Sequence, residues 1–133
     1  DIYEKDTPSL ESRLSAAVRL ERLGWNVALR IDPMLIVNDF ASVYSKFFDF
    51  LKQKIADMQI HSITLGSFRV PSGYYRRMVK MHPSEPLFAQ RMSETGGLVK
   101  YMQTDRDKVI SWSSSELKRR WPGARILYQE DDC

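Results

Sequence analysis

The stretch Trp25-Asn-Val-Ala-Leu-Arg-Ile-Asp-Pro-Met-Leu-Ile-Val37 decides the fold of this chain, because its apolar run has the composition of a buried strand. A helix-like segment ending at Gly24 precedes it, and an amphipathic segment follows from Asn38. The local order of helix, strand and helix is that of a β/α repeat. In such folds the site lies at the carboxyl ends of the strands, so Arg30 and Asp32 are the first candidate functional residues.

Arg30 and Asp32 lie two positions apart and therefore point to the same side of the predicted strand. Leu29 and Ile31 would then face the covering helices. Charged residues are almost never fully buried unless they are paired. Two interpretations remain open: the pair binds a ligand, or it satisfies charges on other strands across a barrel interior.

The composition is that of one folded domain, with 43% hydrophobic and 28% charged residues in a chain of 133. A complete barrel of eight β/α units takes about 250 residues, so this chain is too short for one. The net charge of +3 is compatible with an anionic partner such as nucleic acid but does not require one. No apolar stretch reaches the roughly 20 residues of a membrane span, and we expect a cytoplasmic protein.

The single cysteine, Cys133, is the last residue. An intrachain disulfide is therefore excluded, and so is a zinc or iron–sulfur site built from the cysteines of this chain alone. We expect no metal site here. The chain begins with Asp1 rather than Met, which indicates a processed product or an excised fragment.

Periodicity predicts the remaining elements. Thr7 is the expected cap of the first helix, and Asn38-Asp39 caps a helix with an aromatic apolar face. A strand runs from His61 to Val70, and His61, at its beginning, is interpreted as structural. Further elements are a short helix from Pro71 to His82, a hairpin around Gly96-Gly97, a helix opened by the capping box Thr104-Asp-Arg-Asp107, and a strand at 125–129.

The short helix carries a cluster of tyrosines and cationic residues, Tyr74 to Lys80. Such a cluster can stack on bases and bind a phosphate backbone. Alternatively, Tyr74, Met78 and Met81 belong to the core while the cations are solvated. The second interpretation is favoured, because charge runs usually lie on the surface.

Six short motifs follow one another along most of the chain: Tyr3-Glu-Lys-Asp-Thr-Pro-Ser-Leu-Glu-Ser-Arg-Leu14, Gly24-Trp25, Arg30-Ile-Asp-Pro33, Gly66-Ser-Phe-Arg69, Lys100-Tyr101 and Pro122 to Tyr128. Together they resemble the second half of the spore photoproduct lyase family. These are radical SAM enzymes that repair a thymine dimer in DNA. The most specific pieces are Thr7-Pro-Ser-Leu-Glu11 and Arg30-Ile-Asp-Pro33.

The resemblance implies an α/β fold that is the C-terminal portion of a partial (β/α)6 radical SAM-type barrel. Residues 1–83 would form its last β/α units and residues 84–133 a C-terminal extension. It further implies a pocket for S-adenosylmethionine (AdoMet) lined by Arg30, Asp32, Ser67 and Arg69. Lys100 and Tyr101 would contact DNA from a hairpin.

The family's iron–sulfur cluster is held by a Cys-x-x-x-Cys-x-x-Cys motif in its first half, and this chain lacks that motif. The AdoMet and 4Fe-4S cofactors are therefore implied only for an intact protein, and we expect no catalysis by this chain alone. The expected partners are DNA and the missing N-terminal half of the barrel, with self-association through open sheet edges. Two alternatives stay open: a stand-alone basic α/β module that binds nucleic acid, and a different radical SAM chemistry on the same barrel.

Overall fold

The computed structural model describes residues 4–55 and 57–129. In chain order the elements are α1 (Leu10–Arg22), β1 (Val27–Met34), α2 (Phe40–Lys54), β2 (Ile60–Ser67), β3 (Arg69–Pro71), α3 (Ser72–Met81), a short 3-10 helix (Pro86–Ala89), β4 (Met92–Thr95), β5 (Leu98–Tyr101), α4 (Gln103–Arg120) and β6 (Arg125–Tyr128). Within the described residues, no helix combines the length and apolarity that a membrane span needs.

The larger sheet has the strand order β1-β2-β6, and both pairings are parallel. Leu29 lies beside Ile63, which in turn lies beside Ile126. The prediction that β1 and β2 are parallel neighbours is confirmed. All three strands therefore end at the same edge of the sheet, where Asp32 and Gln129 lie.

One face of this sheet packs on helices α1, α2 and α4. Leu14, Phe48 and Leu117 from these helices are buried together with Ile63 and Leu65 of β2. Leu29 and Ile31 pack against the same core, as the alternation along β1 predicted. The aromatic face of α2 is core packing, because the Phe48 ring stacks on Trp112 of α4 with 6.2 Å between ring centroids.

The opposite face of the sheet is open. Ala28 and Arg30 of β1 are exposed, as are Arg125 and Leu127 of β6. Thr64 lies between Arg30 and Leu127 in the strand register. This arrangement presents a polar sheet surface to solvent beside the carboxyl ends of the strands.

A smaller antiparallel sheet has the order β3-β5-β4. Its hairpin turns at Gly96 and Gly97, whose φ values of +59° and +76° favour glycine, so the predicted hairpin is confirmed. The two predicted segments, 1–83 and 84–133, each contribute a strand to the sheet of the other. From the first segment β3 joins the smaller sheet, and from the second β6 completes the larger one.

The predicted starts of α1 and α4 were wrong in detail, whereas the predicted start of α2 at Asp39 is right in position. Ser9, rather than Thr7, caps α1, because its hydroxyl accepts from the Ser12 backbone N–H at 3.1 Å. Asp39 precedes α2 with φ of +55° and makes no side-chain capping bond. Helix α4 begins at Gln103, so Thr104 lies inside the first turn and cannot cap it.

Candidate functional site

The site is built around the carboxylate of Asp32, at the end of β1. Arg30 donates to its Oδ2 from Nε at 3.0 Å and from Nη2 at 2.9 Å. Arg69 donates from Nη1 to Oδ1 at 3.1 Å and from Nη2 to Oδ2 at 3.4 Å. One carboxylate is thus held between two guanidinium groups.

The carboxyl end of β2 supplies the space for this arrangement at Gly66. A Cβ atom there would lie 2.5 Å from Asp32 Oδ1 and 3.1 Å from Arg69 Nη1. Carbon and oxygen atoms do not approach so closely without displacement. Gly66 therefore permits the close approach of Asp32, and a larger residue would push the carboxylate from its two partners.

The charge state of Asp32 follows from opposing effects. Burial acts to raise the pKa of the carboxyl group. The hydrogen bonds and positive charges of Arg69 and Arg30 outweigh burial, and the pKa of Asp32 lies below its ordinary value of 3.8. Asp32 is therefore ionised at neutral pH, and one negative charge faces two positive charges.

The two arginines differ in what they offer to a ligand. The Arg69 side chain is 22% exposed and also donates to the Ser67 carbonyl at 3.1 Å. The Arg30 side chain is 57% exposed, at the border of the open sheet face. Arg69 is therefore the inner, positioning cation, while Arg30 is the one an anion from solvent can reach.

The residues expected to form the cofactor pocket thus lie together. Arg30, Asp32 and Arg69 form one ion-pair network, to which Ser67 contributes its backbone carbonyl. Sequence reasoning missed Gln129, whose side-chain carbonyl accepts a hydrogen bond from Arg30 Nη2. The available signal was its position at the end of a predicted strand, because the carboxyl ends of parallel strands meet at one edge.

The two predicted DNA contacts behave differently. Lys100 lies opposite Arg69 in the β3-β5 register and is partly exposed. Tyr101 is only 1% exposed, and its hydroxyl accepts from the Ile36 N–H at 3.0 Å. A base cannot stack on a ring that is buried, so the prediction for Tyr101 is corrected to a structural role.

That role is to hold the segment after β1. Tyr44 of α2 accepts from the Leu35 N–H at 2.9 Å, next to the bond between Ile36 and Tyr101. The Gln90 side chain donates to the Ile36 carbonyl at 2.5 Å. Burial raises the pKa of both tyrosines, so their hydroxyls remain protonated. The backbone just beyond Asp32 is therefore fixed from three directions.

The part of the chain that the structure describes contains no group of three or more metal-ligating side chains. Cys133 lies outside the described residues. The Asp32 carboxylate has two cationic partners already, which disfavours a further cation on it. The site therefore consists of one carboxylate paired with two guanidinium groups, one of which is largely exposed.

Solved structures of spore photoproduct lyase match this fold. The enzyme complexed with dinucleoside spore photoproduct matches with a TM-score of 0.77 and 16% identity over 93% of this chain. A double mutant with bound AdoMet and dinucleoside spore photoproduct matches with a TM-score of 0.75 and 17% identity over 91% of this chain. The chain spans 39% and 38% of those two chains.

The resemblance seen in the short sequence motifs is thereby confirmed at the level of the fold. The match covers nearly the whole of this chain and well under half of the solved ones. No protein-family model and no curated protein matches the sequence. The chain therefore has the α/β fold of a part of spore photoproduct lyase.

Proposed function

We propose that this chain is the C-terminal portion of a radical SAM DNA repair lyase similar to spore photoproduct lyase. The observation that carries the proposal is the fold match over 93% of the chain, joined to an arginine and carboxylate network at the carboxyl ends of parallel strands. That edge is where α/β folds place their ligands. The open face of the larger sheet would be part of the inner wall of a partial (β/α)6 barrel.

The residues present fit one part of AdoMet. Its methionine moiety ends in a carboxylate, and Arg30 offers an exposed guanidinium beside the strand ends. Asp32 and Arg69 would hold Arg30 and the strand ends in place, and the Ser67 carbonyl orients Arg69. When bound beside a reduced cluster, AdoMet supplies the radical that starts the chemistry of this enzyme class.

The residues present do not fit a 4Fe-4S cluster. Such clusters are held by cysteine thiolates, and none lies among the residues at this site. We propose that the ligands belong to the missing N-terminal half of the barrel and that this chain is not catalytic alone. Lys100, on the hairpin next to Arg69, would contact a DNA phosphate.

The test is AdoMet titration by calorimetry on the full-length protein that contains this chain. Arg30→Gln removes the guanidinium charge and should weaken AdoMet binding about tenfold or more, as expected for a charge-assisted bond. Arg22→Gln, on exposed α1, is the matched control and should leave affinity unchanged. Unchanged affinity in Arg30→Gln, with the fold intact, would contradict the pocket assignment.

A further inference from the structure

A groove of about 740 Å³ lies along α3, bordered by the 3-10 helix and by the segments that follow β1 and β2. Its apolar lining includes Phe68, Tyr74, Met78, Met81 and Phe88. A volume of about 300 to 1,000 Å³ is typical of sites for small organic ligands. The groove is therefore large enough for a planar aromatic group of the size of a nucleobase.

The sequence-based interpretation that Tyr74 and Met81 belong to the core is wrong. Tyr74 is 55% exposed and Met81 is 71% exposed. Their neighbour Tyr75 does pack inward, with its ring 5.4 Å from that of Phe88 in an edge-to-face arrangement. Helix α3 thus buries one tyrosine and presents the other to solvent at the mouth of the groove.

The exposed tyrosine has a cation beside it. The Arg77 guanidinium lies over the Tyr74 ring, with 5.2 Å between its Cζ atom and the ring centroid. This cation–π contact holds the guanidinium at the groove while the ring remains more than half exposed. An aromatic surface and a positive charge are therefore presented side by side.

Charge along the groove favours an anionic ligand. Two cationic residues, Lys5 and Arg77, line it together with one acidic residue, Glu85. The Glu85 carboxylate accepts from the Leu87 N–H at 3.3 Å and so serves the start of the 3-10 helix. A ligand that joins a flat apolar ring to a phosphate matches both the lining and the rim.

We propose that this groove binds single-stranded nucleic acid, with one unstacked base against Tyr74 and its flanking phosphates on Arg77 and Lys5. The groove adjoins the Asp32 site, because Pro33 and Phe68 line the groove next to Asp32 and Arg69. A nucleic-acid strand bound at the Asp32 site would therefore run past the groove. The inference rests on the proposed function for its choice of nucleic acid as the occupant.

The test is fluorescence anisotropy of this 133-residue chain with a labelled single-stranded oligothymidylate and with an abasic strand of equal length. The two strands carry the same phosphates, so their difference reports the bases. We expect tighter binding of oligothymidylate. Tyr74→Ala should weaken that binding roughly 5- to 150-fold, the range for loss of one stacked base, and should weaken binding of the abasic strand much less.

Arg77→Gln should weaken both strands and lower the slope of log affinity against log salt by about 0.7, the value for one phosphate contact on a single strand. Two control variants are available. Trp25→Ala removes a 67% exposed aromatic side chain outside the groove, and Arg76→Gln removes a cation of the same helix that pairs with Glu94 at 3.1 Å. Neither control should change the preference for bases.

Equal affinity for the two strands, or an unchanged affinity in Tyr74→Ala, would overturn the proposal. Absence of binding at low salt would overturn it as well. If Tyr74→Ala instead abolishes self-association of the chain, then a second copy occupies the groove and the proposal is wrong. None of these results depends on AdoMet, so failure here leaves the calorimetric test of the proposed function independent.

Discussion

Gly66 permits the closest approach in the site, and its replacement is the most direct test of the geometry. Gly66→Ala places a carbon 2.5 Å from the Asp32 carboxylate, so Asp32 or β2 must move. We expect a loss of stability of about 1 to 3 kcal/mol, the cost of overpacking a filled space. Chemical denaturation measures it, and Gly73→Ala is the control because a Cβ atom there meets nothing within 4 Å.

The two arginines of the site should contribute unequally to stability. Arg30→Ala removes an exposed partner and should cost no more than about 1 kcal/mol. Arg69→Ala removes the less exposed partner of Asp32 and should cost about 1.5 to 3 kcal/mol. Urea unfolding of both variants gives the comparison, and equal losses would contradict the assignment of Arg69 as the inner cation.

The lowered pKa of Asp32 makes the same network sensitive to acid. A carboxyl group with a lower pKa in the folded state stabilises the fold above its ordinary pKa of 3.8. That stabilisation is lost as the pH falls from 3.8 through the lowered pKa. We therefore expect Asp32→Asn to be less stable than the parent chain at pH 7, with a gap that narrows in acid. Unfolding curves of the two chains at pH 7 and below pH 3.8 measure the difference in stability. A difference that does not change with pH would show that Asp32 ionisation does not stabilise the fold.

At this scale the sequence predicted part of the site. Alternation along one strand correctly placed Arg30 and Asp32 on the same side, because that relation is local. It did not predict that Arg69 and Gln129 would meet the same pair, since that depends on the register between distant strands. Loss of Arg30 would therefore still leave Asp32 paired with Arg69.

Among the elements, the segment after β1 depends on two tyrosine hydroxyls. Tyr44→Phe leaves the Leu35 N–H without its acceptor and should cost about 1 to 3 kcal/mol. Tyr101→Phe should have an effect of the same size through Ile36. Thermal unfolding measures both, with Tyr74→Phe as a control whose ring is exposed. A negligible change in Tyr44→Phe and Tyr101→Phe would show that the segment is held by other contacts.

The helices and strands were predictable where a regular apolar pattern or a clear stop signal extends over many residues. The apolar spacing of α2 and the stop of α3 before His82-Pro83 are sequence properties, and the structure shows both. The cap residues of α1 and α4 were predicted wrongly because several polar residues near each helix start could act as the cap. Thr7 and Ser9 are both good caps, and only the path of the chain around Pro8 chooses between them.

For the whole molecule, the open sheet should promote self-association of the isolated chain. The edge of β1 and the open polar face of the larger sheet lack covering strands in the described residues. Sedimentation velocity should show dimers or larger species that increase with concentration. Leu127→Lys, on the open face, should reduce association, while Val43→Lys on exposed α2 should not. A clean monomer at high concentration would contradict the fragment interpretation.

The order of strands was the least predictable feature. The strand at 125–129 was expected, but nothing in the sequence of so short a strand shows that β6 lies beside β2. That neighbour relation is decided by the core that α4 completes through Val109 and Leu117. The sequence therefore indicated the parts and the β1-β2 pair, while long-range packing decided how the sheet closes.

The position of β6 has a consequence for folding during synthesis on the ribosome. Helix α3, the smaller sheet and α4 are all synthesised between β2 and β6. Until α4 emerges the core lacks its side chains, and until β6 emerges the edge of β2, the most buried strand, is unpaired. We therefore expect nascent chains at this stage to be prone to aggregation.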